Sequence, residues 1–255
     1  VPECFPCVRV ECDGSVPRAR GVHSCTAGHR LADGDGVFAE WSWADGTLAA
    51  RNDPLGMFPL FYATRGSTLW LGTNVLALLA SGAPSDIDED ALAVFCRTGF
   101  LFGDRTPFAH IRAVPPGSTI RWRSGRLKIE SMPAASGAPI EGSADRIADG
   151  AVERFLAAME KRSPDCDVVL PLTGGLDSRL ILAALRRMHG GFRAFTLWRS
   201  RPHRSADPVI ARGYSGLARR VRGPVVTAAG LGNAPPDRFI LVLSDVRELD
   251  PSRYT

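Results

Sequence analysis

The 255 residues suffice for one large domain or two small ones, and 45% hydrophobic with 23% charged residues is the composition of a soluble globular chain with a sizeable core. The net charge of +4 is carried by scattered arginines, with lysine only at positions 128 and 161, which is too weak and too dispersed for a nucleic-acid binder of this size. No run of about 18 apolar residues offers a membrane span and no basic-then-apolar leader opens the sequence, so no membrane partner is expected and the expected setting is the cytoplasm.

Residues 1–34 lack a clear period and are rich in Gly, Arg, Cys and Pro, which predicts loop or frayed terminus. Cys4, Cys7, Cys12 and Cys25 cluster there beside His23 and His29. A single C-x-x-C without a second pair is a weak metal signal, so free thiols are expected. Cys96 and Cys166 lie in apolar-leaning segments, which predicts buried thiols.

From Gly36 to Ile129 the texture is β. Residues 37–43 read as a strand, Asp45-Gly46 as a turn that supplies the positive φ of a tight hairpin, and 47–51 as the returning strand. Residues 58–63 and 68–72 form a second pair around Arg65-Gly66-Ser67, and 118–122 with 127–129 a third around Ser124-Gly125. A helix over 88–97 carries Leu92, Phe95 and Cys96 at helical spacing. The aromatics of this half read as core rather than as a stacking platform. Pro133, Pro139 and patternless small residues mark 131–142 as a linker.

The period then becomes helical. Ile147, Ala151, Phe155 and Met159 recur behind a Ser143 cap, and the helix stops before Ser163-Pro164. Residues 168–170 read as a strand ended by Pro171, which cannot donate to a ladder. A glycine loop, a helix over 178–187, a strand over 192–198, a helix with Ile210, Tyr214, Leu217 and Val221 started by Pro208, and a strand over 225–227 follow. This alternation predicts a doubly wound parallel sheet.

The segment Thr173-Gly174-Gly175-Leu176-Asp177-Ser178-Arg179 holds the chemistry. A strand feeding a Gly-Gly loop into a helix gathers free N–H groups and the positive end of the helix dipole at one spot, a natural seat for phosphate. It is neither a Walker loop, having no lysine, nor the G-x-G-x-x-G fingerprint. The hydroxyls of Thr173 and Ser178 can add donors, and Asp177 suits holding Mg²⁺ or capping the helix. Arg179 faces the unfavourable end of the dipole unless an anion is bound there. The plain alternatives are a bare αβ turn and a solvated arginine.

The loop resembles the S-G-G-L-D-S-S signature of the asparagine synthetase family, with Thr173 for the first serine and Arg179 for the last. Gly36-Val37-Phe38-Ala39 and Ala50-Arg51-Asn52-Asp53-Pro54-Leu55-Gly56-Met57-Phe58-Pro59-Leu60-Phe61-Tyr62 are similar to its G-x-F-A-F and A-R-D-x-x-G-x-x-P-L-Y-Y stretches. Arg105-Thr106-Pro107-Phe108 with Val114-Pro115-Pro116-Gly117, and Ala206-Asp207-Pro208-Val209-Ile210-Ala211, resemble later segments in the same order.

The resemblance implies an α/β chain. Its parts are a β-rich, partial amidotransferase layer of the N-terminal-nucleophile type over 1–130, a linker over 131–142, and an incomplete doubly wound ATP-pyrophosphatase domain over 143–255. It implies ATP and Mg²⁺ as cofactors, a small-molecule or peptide carboxylate to be adenylated, and an amine donor. By position, Leu172 and Leu197 would flank adenine and ribose. Thr173, Gly174, Gly175, Asp177, Ser178 and Arg179 would meet the phosphates, with Asp177 on the metal. Departures are expected to matter. A glutaminase of the family uses an N-terminal cysteine where this sequence has Val1, no N-G-E-x-Y-N stretch appears, and the later acidic S-G-x-G-x-D-E stretch is not found. The readings left open are an amide-forming ligase, a β-lactam or lasso-peptide type cyclase, and a silent nucleotide-binding module. An RNA-modifying relative fits the modest charge and the β half poorly. His110, His189 and His203 stand without a nucleophile partner at readable spacing.

Overall fold

The computed structural model describes residues 5–14, 16–132, 139–162, 168–173, 175–188, 191–199, 226–227 and 239–247. They fall into two compact units, Val1–Gly137 and Ala138–Thr255.

Alternation builds the first unit. β4 (Gly36–Ala44) and β5 (Thr47–Asn52) join through Asp45 and Gly46, whose φ values of 48° and 70° are both positive, as a two-residue turn matched to strand twist requires. Ser124 and Gly125 do the same between β9 (Ser118–Arg123) and β10 (Arg126–Ser131). β1 (Cys7–Asp13), β2 (Val16–Gly21), β3 (Ser24–Arg30), β6 (Phe61–Arg65), β7 (Thr68–Gly72) and β8 (Ile111–Ala113) complete two antiparallel sheets. Their orders are β2-β1-β7-β6-β8 and β10-β9-β5-β4-β3. Inward side chains of both sheets share one core, in which Val8, Val10, Leu69 and Leu71 meet Trp41, Leu48, Ile120 and Trp122. On the other face of the first sheet, Ala63, Trp70 and Ile111 pack with Leu78 of α1 (Val75–Ala80). Trp41, Trp70 and Trp122 are thus core, as expected.

Two expectations for this unit are corrected. Residues 1–34 are not loop but contain β1, β2 and β3. The alternation in β1 is only Val8 and Val10 against Arg9 and Glu11, and distant partners fix it, with Val8 opposite Leu71. β2 carries Pro17 and is an edge strand, where a missing N–H is tolerated. Cys96 is exposed rather than buried. Its helix α2 (Glu89–Thr98) fully buries only Ala91, and Phe95 stays 46% exposed, so the apolar spacing does not mark a core face.

The second unit opens with α3 (Ala144–Arg162), whose start is held by Ser143. β11 (Val169–Pro171) ends at its proline, and α4 (Leu176–Met188) crosses to β12 (Gly191–Arg199), which runs parallel to β11. Leu170, Leu172, Leu182, Leu185, Phe192 and Ala194 form the core here, with Met159 of α3 against it. The sheet order is β11-β12-β14-β13, with β13 (Val226–Thr227) and β14 (Phe239–Arg247). This corrects the doubly wound parallel expectation. β14 lies antiparallel between β12 and β13, so the sheet is mixed. The apolar run from Phe239 to Leu243 makes a full strand beyond the βαβ pattern, and mixed sheets of this kind are common. The helix expected around Pro208 to Val221 lies outside the described residues. Among the described residues no helix is long and apolar enough to cross a membrane.

Candidate functional site

In the second unit the strand–loop–helix expected to seat phosphate closes on itself through two hydroxyls. Thr173 N–H donates to Ser178 Oγ at 3.1 Å, and the two hydroxyl oxygens lie 3.0 Å apart. Ser178 Oγ is also within reach of the Thr173 and Gly175 carbonyls at 3.1 and 3.2 Å, so its single proton has a choice of acceptors. Gly175 N–H donates to Thr173 Oγ1 at 3.1 Å. A Cβ on Gly175 would stand 3.3 Å from that same oxygen, so close approach rather than an unusual φ is what glycine provides. The first turn of a helix leaves N–H groups without helical partners, and α4 presents that turn immediately after the loop.

Asp177 lies exposed in the first turn of α4. Among the described residues no three His, Cys, Asp or Glu side chains cluster as a metal site. A single carboxylate fits Mg²⁺ only in the mode where substrate phosphates and water supply the other ligands. Arg179 is half-buried and folds back on the loop, its Nε donating to the Gly175 carbonyl at 3.2 Å. Leu172 is 3% exposed and packs in the core, so its side chain anchors the loop from beneath. Leu197 sits on β12 opposite Leu241, and Gly174 lies outside the described residues.

The first unit has its own polar knot, in the stretch from Arg51 to Phe58. Asp53 is 1% exposed, and its carboxylate accepts from the backbone N–H groups of Leu55, Met57, Phe58 and Phe38 at 2.9 to 3.3 Å. Burial by itself would raise its pKa, but those four donors together hold it below the ordinary carboxylate value. Asn52 donates to the carbonyls of Val114 and Pro115 and accepts from Ser118 N–H, stitching the 53–58 turn to the 114–118 turn. Asp88 caps α2 through Ala91 N–H and takes a two-pronged bond from Arg105, while buried Thr106 donates to the Ile111 carbonyl. Asn52, Asp53, Arg105 and Thr106, all in the segments that carry the resemblance, are therefore scaffold. The signal in the sequence was an Asn-Asp pair closing a strand before Pro-Leu-Gly, whose burial no periodicity reveals.

Cys7, Cys12 and Cys25 are free, half-buried strand residues. Burial pushes the Cys7 and Cys25 thiols up, the opposite of what activates a nucleophile. Cys4, Cys166, His189 and His203 lie outside the described residues, and His110 is an exposed partner of Asp86 at 3.5 Å. A shallow cavity of about 290 Å³ in the first unit is lined by Ser24, Thr26, Glu40, Ser42, Arg51 and Thr119 among others, and its Glu40 is already paired with Arg51.

Residues 23–132 match the family described as glutamine amidotransferase domain. The chain is also similar to asparagine synthetase [glutamine-hydrolyzing] 1 of Bacillus subtilis (strain 168), at 24% identity over 163 residues. That alignment covers 63% of this chain and 26% of the relative, so the chain spans about a quarter of the curated protein it matches. The match to the family runs from β3 through β10, across both sheets and the Asn52–Asp53 knot. The first unit of this chain is an asparagine-synthetase-like domain of the glutamine amidotransferase kind.

Proposed function

We propose that the chain joins this amidotransferase-like layer to the nucleotide loop of an ATP-dependent amide-forming ligase that adenylates a carboxylate and passes it to an amine. The observation that carries the reading is the hydroxyl-closed turn between Thr173 and Ser178, set between a short strand anchored by Leu170 and the first turn of a helix. The relative supports it, because a 163-residue match is longer than the first unit and must take in part of the second. Bound MgATP would supply an electrophilic phosphorus and pyrophosphate as leaving group. Gly175 lets the backbone come close, Ser178 and Thr173 turn hydroxyls toward the phosphates, Arg179 neutralises charge, and Asp177 holds the metal side. Preorganised donors at the developing charge are the usual source of rate in such a step. The carboxylate is a small molecule or a peptide, and the setting proposed is cytoplasmic.

Pyrophosphate release from ATP, measured across a panel of amino-acid and peptide carboxylates, tests the activity. Calorimetry with a non-hydrolysable ATP analogue and Mg²⁺ tests the site. Binding that weakens about tenfold or more in Asp177→Ala or Arg179→Ala supports the loop assignment. Binding without turnover leaves a silent nucleotide module. No binding overturns the proposal.

A further inference from the structure

The second sheet of the first unit turns one face to the core it shares with the first sheet and the other face away from it. Register places the outward residues in rows: Ser42, Ala49, Arg121, Lys128 in one, and Glu40, Arg51, Thr119, Glu130 in the next. Glu40 is shared by Arg30 and Arg51, whose guanidinium groups lie 5.6 Å from the Phe38 ring. That end of the face is satisfied.

The other end is not. On the β9–β10 hairpin Arg121 stands directly across from Lys128 and Arg123 across from Arg126. Like charges facing one another across a ladder are destabilising. Lys128 pairs with Glu130, whereas Arg121, Arg123 and Arg126 are exposed and make no ion pair among the described residues. β10 has β9 on one side, and its other edge carries no strand partner among the described residues.

We propose that this hairpin and the free edge of β10 bind an extended acidic peptide, with carboxylates at alternate positions, as an added strand. Same-face residues on a strand recur about every 6.8 Å. A peptide laid along β10 therefore brings alternate carboxylates opposite Arg126 and Lys128, while its backbone pairs with the edge. The added anions relieve the two facing cation pairs. Charge complementarity fits nucleic acid less well, because single strands bind through exposed aromatics as well as cations. Here Phe38 is 3% exposed beneath its arginines and Trp122 is 1% exposed on the inner face. This inference is independent of the ATP loop.

The test is fluorescence anisotropy of the whole chain at physiological ionic strength with a labelled peptide alternating Glu and Thr. Three controls accompany it: the same composition with its glutamates contiguous, a backbone N-methylated version, and oligothymidylate. The alternating peptide should bind best, and N-methylation or the double variant Arg123→Glu, Arg126→Glu should weaken it by about tenfold or more. Glu130→Gln, which removes the one repelling carboxylate, should tighten it about two- to threefold and serves if the double variant is unstable. Absence of binding, equal binding of the N-methylated or contiguous peptide, indifference to these variants, or tighter binding of oligothymidylate would overturn it.

Discussion

Two short polar turns, one in each unit, use the same local chemistry to opposite ends. At Asp53 a buried carboxylate accepts four backbone N–H groups and has no acceptor capacity left over. At exposed Thr173 and half-buried Ser178 two hydroxyls bond to each other and to their own loop, with alternative acceptors at nearly equal distance. A buried, saturated knot holds a scaffold together, because every lost bond strands a desolvated group. An exposed knot with interchangeable partners can trade them for a ligand at little cost.

Asp53→Ala should break the comparison most severely. It strands four donors, and the first unit should lose on the order of 3–5 kcal/mol in a urea melt while melting of the second stays put. The same carboxylate sets an acid limit. Its folded pKa lies below the ordinary 3.8, so its contribution is complete above 3.8 and is lost as the pH falls through the folded value. Asp88, held low first by the Arg105 hydrogen bond and then by Ala91 N–H, acts in the same direction. Acid titration by circular dichroism should therefore unfold the first unit from below pH 3.8, and Asp53→Asn should be less stable at neutral pH but flatter in acid. Ser178→Ala should cost only about 0.5–1.5 kcal/mol in a thermal melt, since its hydrogen bonds lie at the surface and its partners can turn to water. Equal losses at Asp53 and Ser178 would erase the distinction drawn between the two turns. Smallest of all, Phe95→Gln on α2 should move stability by less than about 0.5 kcal/mol, consistent with a side chain that is 46% exposed.

What could be read from the sequence was what short-range chemistry decides. Asp45-Gly46 and Ser124-Gly125 announce hairpins because few residues accept positive φ, and Pro171 stops its strand because it has no N–H. The glycine loop could be placed because a strand and a helix flank it. Long-range pairing decided the rest. β1 and β3 carry too little alternation to stand alone and become strands because β7 and β4 lie beside them. β14 disrupts the parallel order because an apolar strand can insert in either direction. Leu92, Phe95 and Cys96 have helical spacing but no partner surface, so spacing alone misplaced Cys96. The role of Asp53 was hidden because its burial depends on residues from Phe38 to Gly117.

The interleaving of the two sheets also has a consequence for synthesis. β1 is made before its partner β7, which comes only after the β4–β5 hairpin of the other sheet, and β5 in turn waits for β9. The first sheet is complete once β8 is made, but the second still waits for β9, whose Ile120 and Trp122 then stand beside Ala50 and Leu48 in the ladder. Pairing over such separations is slow, and unpaired edges are exposed meanwhile. A nascent first unit stalled before β9 would therefore carry an unfinished second sheet with an open edge on β5.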